Sequence, residues 1–126
     1  MTKRNYITDI EKILKGRRKP IELFNVILMF INFKPTEIKI YNILLKSSLT
    51  IKQIEKQLNL SERTIRKHIK RLSQEGFIIK KVKRGKRLKY IYSAIPIQEA
   101  WGKARNKIQK IMEEITKTLE MKAMFF

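Results

Sequence analysis

Apolar positions along the first half of the chain recur at spacings of three and four residues, which is the period of an amphipathic helix. A Thr-x-x-Glu capping box that begins at Thr8 predicts the start of a first helix. We expect this helix to end near Lys15, because Gly16 follows it. Its apolar stripe consists of Ile7, Ile10 and Leu14.

Two further helices are expected before residue 50. Proline is tolerated in the first turn of a helix, so the second is predicted to run from Pro20 to about Phe33. This segment is interrupted by polar residues and is shorter than the ~20 residues that span a bilayer, which predicts a buried helix. The third helix, capped by Thr36, should end near Ser47. Its predicted apolar positions are Ile38, Tyr41, Leu44 and Leu45.

A pair of short helices joined by a tight turn is predicted next. Thr50 and Gln53 form a capping box, and Asn59 can close that helix in the left-handed conformation. Ser61 caps the following helix, which should stop at Gly76. The apolar faces of the two helices consist of Ile51, Ile54 and Leu58, and of Ile65, Ile69 and Leu72. This pattern is typical of a helix-turn-helix.

After Gly76 the pattern changes to that of two β-strands. The first begins at Phe77 to Ile79, a basic tip at Arg84 to Lys86 follows, and apolar side chains then alternate at Leu88, Tyr90 and Tyr92. A helix-turn-helix followed by a hairpin is a winged helix. The expected fold class is therefore mainly α with a β-hairpin wing (α+β), flanked by N- and C-terminal dimerisation helices.

A long amphipathic helix is predicted after Pro96, with apolar positions in the alternating three-four steps of a coiled-coil seam. The seam consists of Trp101, Ala104, Ile108, Ile111, Ile115 and then Thr118 or Leu119. An exposed seam of this length is an association surface, so we expect it to join two copies, with the Ile7, Ile10 and Leu14 stripe beside it. The predicted divisions are N-terminal helices (1–35), a winged helix-turn-helix (36–96) and a coiled-coil dimerisation helix (97–126).

Charge indicates what the chain binds. Its 126 residues include 30 Lys+Arg and 11 Asp+Glu, a formal net charge of +19. Residues 61–94 hold twelve basic and two acidic residues, so over half of the excess lies in about a quarter of the chain. Such a balance favours a polyanion, either nucleic acid or an anionic membrane surface. On the helix after Ser61, the basic side chains project opposite to the apolar face, which suits the major groove of double-stranded DNA.

Individual DNA contacts can be assigned from this arrangement. The start of the helix should come nearest the bases, through Ser61, Glu62, Arg63 and Thr64. Arg66 should also contact DNA, and phosphates should be contacted by Lys67, Lys70 and Arg71. The wing should contact the backbone or the minor groove through Lys83, Arg84, Lys86 and Arg87. His68, beside the edge of the core, is expected to pack or to contact a phosphate.

Catalysis is not expected, because the chain has one His, one Asp and no Cys. The same composition predicts no metal site and no cofactor, and no small-molecule ligand is evident. The first residues lack the apolar core of a signal peptide, so we expect a cytoplasmic, nucleoid-associated protein without membrane contact.

The segment from Leu49 to Arg66, followed by Leu72-Ser73-Gln74-Glu75-Gly76-Phe77-Ile78, resembles the helix-turn-helix of ArsR, MarR and TrmB-type regulators. Tyr90 to Ala100 is most similar to TrmB-type proteins and to small crenarchaeal winged-helix regulators. The resemblance, over about residues 36 to 105, implies a dimeric, sequence-specific archaeal transcription factor. Sugar sensing is not expected, because no sugar-binding domain follows the last helix of this sequence, and the cysteines of metal-sensing ArsR proteins are lacking.

Other functions stay open at this point. An architectural chromatin protein, which coats DNA with little sequence preference, would use a charge of +19 equally well. An RNA-binding winged helix is disfavoured, because the narrow major groove of A-form RNA does not admit a helix. An enzyme is the least favoured class.

Overall fold

The computed structural model describes residues 5–16 and 19–123. In these ranges the chain forms α1 (Tyr6–Lys15), α2 (Pro20–Phe30), α3 (Pro35–Lys46), α4 (Ile51–Leu58), α5 (Glu62–Gln74), β1 (Ile78–Lys83), β2 (Lys89–Ala94) and α6 (Ile97–Ala123). The predicted fold class, mainly helical with one two-stranded hairpin, is therefore confirmed. Among the described residues, no helix has both the length and the apolar character that a bilayer span requires.

The caps of α4 and α5 are those that the sequence predicts. The Thr50 hydroxyl accepts a hydrogen bond from the backbone N–H of Gln53 at 3.3 Å. The Ser61 hydroxyl accepts one from the N–H of Thr64 at 3.2 Å. Asn59 ends α4 in the left-handed region, with φ 53° and ψ 46°. These three residues set the tight turn that separates the two helices.

The predicted start of α1 is wrong, because Asn5 is the cap. The Asn5 side chain accepts from the Thr8 N–H at 3.1 Å, which places Thr8 inside the first turn. Thr36 does not cap α3 either, since that helix begins at Pro35. The Glu37 carboxylate instead accepts from the Lys34 N–H at 2.9 Å, as a Glu at the third helical position often does.

The predicted end of α2 is also wrong, by three residues, because the helix stops at Phe30. Asn32 then adopts a positive φ of 76°, which turns the chain sharply. As a result Phe33 lies outside the helix and is buried in the core, where its ring meets that of Phe77 edge-on at 5.0 Å.

The hairpin is joined to the helical layer at its base. β1 and β2 are antiparallel, in a register that runs from Ile78 opposite Ala94 to Lys83 opposite Lys89. Leu49, between α3 and α4, forms a bridge with Tyr92: the Leu49 N–H donates to the Tyr92 carbonyl at 3.0 Å, and the reverse bond is 2.8 Å. The inner half of the wing is therefore fixed to the rest of the fold.

One hydrophobic core includes residues from α2, α3, α4, α5, the hairpin and the first turns of α6. Tyr41 lies at its centre, and its hydroxyl donates to the Ile95 carbonyl at 2.8 Å. Ala100 and Ala104 are fully buried in this core, and Ile108 packs against it. The assignment of Ala104 to the dimer seam is therefore corrected, because a side chain buried within one copy has no surface to offer a second.

Candidate nucleic-acid interface

Helix α5 has one buried face and one basic face. Ile65, Ile69 and Leu72 lie in the core, where they fix the rotation of the helix. The opposite side is exposed and carries four of the predicted contacts, Arg63, Arg66, Lys67 and Lys70. Because the two faces are on opposite sides, the cations point away from the domain and can approach a phosphate backbone without disturbing the core.

The first turn of α5 is internally bonded. The Ser61 hydroxyl, besides capping the helix, donates to the Thr64 hydroxyl at 3.0 Å. Glu62 accepts from the Arg66 Nε at 2.9 Å, and the Arg66 Nη2 lies 2.8 Å from the same carboxylate oxygen. Arg63, in the same turn, is also exposed. None of the residues three or four positions away from it is acidic, so no carboxylate one turn away on the same face competes for its guanidinium.

Arg71 points toward the α2–α3 corner instead of outward. Its guanidinium donates to the Asn32 carbonyl at 2.9 Å and to the Glu37 carboxylate. It also lies over the Phe33 ring, 4.5 Å from the centroid. The side chain is only 29% exposed. Its predicted contact with a phosphate is therefore corrected: Arg71 joins helices inside the domain.

Glu37 and His68 complete this buried cluster. The His68 Nδ1 lies 3.1 Å from Glu37, and both side chains are buried, so His68 is a packing residue. Burial alone raises the pKa of the Glu37 carboxyl, but the Lys34 N–H, His68 and Arg71 together lower that pKa below its ordinary value. Sequence reasoning missed Glu37. The one feature of the sequence that singles out Glu37 is its place at the third position of α3, after Pro35. That position predicts a helix cap, but it does not predict a buried ion pair.

The wing presents a second basic surface. All four of its predicted contacts, Lys83, Arg84, Lys86 and Arg87, are exposed. They surround Gly85, where an added Cβ would approach no atom closer than 4.0 Å, the distance to the Arg87 carbonyl oxygen. The tip is therefore open, and the cations there are not covered by the rest of the described chain.

A groove runs between α5 and the wing. It measures about 360 Å³ and is bounded by the starts of α4 and α5 and by the outer half of β2. Its lining residues include Lys52, Arg66 and Lys89 as cations, and Leu88 and Tyr90 as apolar surface. The sequence pattern predicts the Leu88, Tyr90 and Tyr92 alternation as one stripe, but only Tyr92 is buried.

Exposed apolar side chains also continue along α6 beyond the core. Ile111, Ile115 and Leu119 are exposed, as are Met112 and Met121. Trp101, at the other end of the predicted seam, is also exposed, at 39%. In the N-terminal stripe, Ile7 and Leu14 are exposed and Ile10 is half-buried. Helix α1 packs on α2, where the rings of Tyr6 and Phe30 make an edge contact.

No cluster of three or more His, Cys, Asp or Glu side chains suited to a metal ion exists within residues 5–16 and 19–123.

Solved structures share this fold. A possible transcriptional regulator from Methanosarcina mazei Go1 superposes with a TM-score of 0.68 at 14% identity, over 79% of this chain and 88% of that one. A regulator of the MarR family from Enterococcus faecalis V583 (TM-score 0.51, 12% identity) covers 84% of this chain and 94% of its own. A transcriptional regulator homologue from Pyrococcus horikoshii OT3 (TM-score 0.51, 17% identity) covers 86% and 97%. A search of curated proteins found no matching sequence.

A family model gives the assignment. Residues 28–98, from the last turn of α2 to the first turn of α6, match the family described as sugar-specific transcriptional regulator TrmB. This stretch includes both helices of the helix-turn-helix and the whole wing, and it is more than half of the chain. The chain therefore belongs to the TrmB family of transcriptional regulators.

Proposed function

We propose that this protein is a homodimeric, sequence-specific regulator of transcription that binds double-stranded DNA, with α5 in the major groove and the wing on the backbone or in the minor groove. The observation that carries the proposal is the orientation of α5. Its apolar face is buried, and its exposed face offers Arg63, Arg66, Lys67 and Lys70 beside the basic wing. Phosphates line both walls of the major groove, so this helix can enter with its cations on either side.

Different residues then carry different parts of the binding. Arg63, in the first turn, is suited to read a guanine edge with its two parallel donors. Lys67 and Lys70 contact phosphates, which position the helix without reading sequence. Arg84, Lys86 and Arg87 extend the contact from the wing. Ser61 and Thr64 act through the cap of α5, and Arg71, which is bonded to Glu37 and Asn32, is left out of the proposed interface.

The second copy binds through α6. Ile111, Ile115 and Leu119 form an exposed apolar strip on the part of the helix that extends beyond the core. Pairing two such strips around a two-fold axis removes them from water and presents two α5 helices to successive major grooves, about 34 Å apart. The preferred DNA site is then a palindrome or close to one. The protein acts in the cytoplasm, on the nucleoid, and needs neither metal nor cofactor.

Selection of bound duplexes from a random DNA library tests this function. We expect enrichment of one inverted-repeat motif and, in direct titrations, about 10³-fold or greater preference for that motif over random DNA at the same salt concentration. Absence of any enriched motif, with tight binding to all duplexes, would contradict sequence-specific regulation.

An architectural chromatin protein is the second candidate. The observation that favours it is that nine of the nineteen excess positive charges lie outside residues 61–94, more than one recognition surface needs. Such a protein binds all sequences with similar affinity. Crosslinking to the genome distinguishes the two functions, because a regulator gives discrete peaks at promoters and a coating protein gives continuous coverage.

A further inference from the structure

We propose that the wing contacts DNA through an apolar strip as well as through its cations: Val82, Leu88 and Tyr90 pack against the sugar faces of the DNA strand that lies between the wing and α5. This inference rests on the proposed DNA binding and adds a specific contact to it. It assigns to the wing a share of affinity that does not depend on salt.

The strip lies on the face of the hairpin that is turned toward α5. Residues opposite each other in an antiparallel pair share a face, and Val82 pairs with Tyr90 just as Lys80 pairs with Tyr92. Tyr92 is buried at the base of this face, so Val82 and Tyr90 are on the same side as the core. Leu88 and Tyr90 both line the groove that α5 bounds with Glu62 and Arg66.

The side chains of Val82, Leu88 and Tyr90 are largely exposed to solvent, where polar side chains are the more usual choice. Leu88 is 74% exposed, Val82 52% and Tyr90 51%. On the other face of the hairpin, Lys81 and Lys83 provide the charge that usually protects an exposed strand. Of the exposed apolar side chains of the hairpin, only Ile79 lies on that other face, whereas Val82, Leu88 and Tyr90 lie toward α5. This concentration indicates that the face toward α5 is covered when the protein is bound to its partner.

The Tyr90 ring is held in place by a cation. The Lys80 ammonium lies 3.9 Å from the ring centroid, on the same face of the hairpin. A cation held against an aromatic ring leaves the ring edge and the remaining face free for a second contact and fixes the ring before binding.

Charge complementarity identifies the occupant of the groove as a nucleic-acid strand. Lys52 and Lys89 lie in its lining, Lys80 lies over Tyr90 next to it, and the one carboxylate there, Glu62, is already paired with Arg66. A strand of DNA offers phosphates to such cations and deoxyribose rings to apolar side chains, and thymine adds a methyl group. A second copy of this chain would bring further basic side chains to a groove that is already cationic, so it is the less favourable occupant.

The test uses the full-length dimer, the DNA motif obtained by selection, and the variant Leu88→Ala/Tyr90→Ala. We expect the variant to bind this duplex about tenfold more weakly at every salt concentration, with an unchanged slope of log affinity against log salt. The affinity extrapolated to 1 M salt should fall by the same factor. Tyr90→Phe, which keeps the ring, should bind as the unaltered protein does.

Ile79→Ala is the matched control, because Ile79 is an exposed apolar residue on the opposite face of the same hairpin, where it pairs with Ser93. Its affinity should stay within about twofold of the unaltered protein, since no apolar contact with DNA is lost. Equal affinity of the double variant and the unaltered protein would overturn the inference while leaving DNA binding intact. A reduced salt slope would also overturn it, because the loss would then be electrostatic.

Two further results separate the inference from the proposed function. If the double variant changes the sedimentation of the protein but not its affinity for DNA, the apolar strip of the wing is a contact with protein, and the inference is wrong. If the unaltered protein binds no duplex at all, the proposed function itself is wrong.

Discussion

The Arg71 guanidinium donates to the carboxylate of Glu37, across the junction between α5 and the start of α3. Glu37 is 2% exposed and also accepts from the Lys34 N–H and contacts His68. A buried carboxylate is tolerated only when its oxygens are bonded in this way. The cluster thus ties the helix that carries the exposed cations to the α2–α3 corner.

Replacing Glu37 by Gln should therefore destabilise the protein. The amide lacks the charge that Arg71 and His68 face, and we expect a loss of about 2 kcal/mol in the free energy of unfolding at pH 7. Chemical denaturation measures this change. Glu113→Gln, an equal change of charge at an exposed position of α6, should leave the unfolding midpoint nearly unchanged.

The effect of Glu37 should also depend on pH. Because the pKa of Glu37 is lowered in the folded protein from its ordinary 4.5, its ionised form stabilises the fold above that pH. The contribution is lost as the pH falls through the lowered pKa. The difference in stability between the unaltered protein and Glu37→Gln should therefore shrink as the pH falls below about 4.5. A difference that grows as the pH falls below that value would contradict this account.

Arg63 and Lys70 should make distinguishable contributions to DNA binding. One bidentate contact to a base is worth about 1–3 kcal/mol, so Arg63→Ala should weaken binding to the preferred duplex more than to random DNA. Lys70→Ala should weaken both alike. Titrations with both duplexes at one salt concentration give the two ratios. Equal losses for the two variants on both duplexes would remove the base-reading role and favour a chromatin protein.

Removing the charges of the wing tip should change the salt dependence of binding. Each phosphate contact contributes about 0.9 to the slope of log affinity against log salt, so replacing Arg84, Lys86 and Arg87 together by Ala should reduce both affinity and slope. The melting temperature and the dimer should be unaffected, because all three side chains are exposed. If the slope is unaltered, the wing does not contact phosphates and its lysines only protect the strand edges.

Substitution in the α6 strip should separate the two copies. Ile111→Glu places a charge in the apolar contact, and we expect monomers in sedimentation at micromolar concentration. Gln109→Glu introduces the same charge about 200° around the helix, at an exposed position, and should leave the dimer intact. An unaltered protein that sediments as a monomer would contradict dimerisation through this strip.

The helix-turn-helix could be predicted from the sequence because its signals are local. Thr50, Asn59 and Ser61 each act within four residues of their own position, through a cap or a left-handed turn. Such local hydrogen bonds depend little on the rest of the fold. The sequence also predicts which face of α5 is turned toward the core, since Ile65, Ile69 and Leu72 repeat with the helical period.

The interior contacts of Arg71 and Ala104 could not be predicted from the sequence in this way. Both lie at the correct spacing for the basic face and for the apolar seam, but their partners are distant in sequence. Arg71 is paired with Glu37, 34 residues away. Ala104 is buried because α6 packs against α2 and its small side chain allows close approach to the core. Helical periodicity gives a direction around the axis and cannot say which neighbour lies there.

The bridge between Leu49 and Tyr92 divides the wing into two parts with different tolerance to change. Below the bridge, the strands are continuous with the core, and a change of length there would shift Tyr92 and the residues after it by one register position. Beyond it, Gly85 lies in open space and the surrounding side chains are exposed. We therefore expect insertions or deletions at the tip to be accommodated without disturbing the fold, so that the length and reach of this loop can change while the framework stays the same.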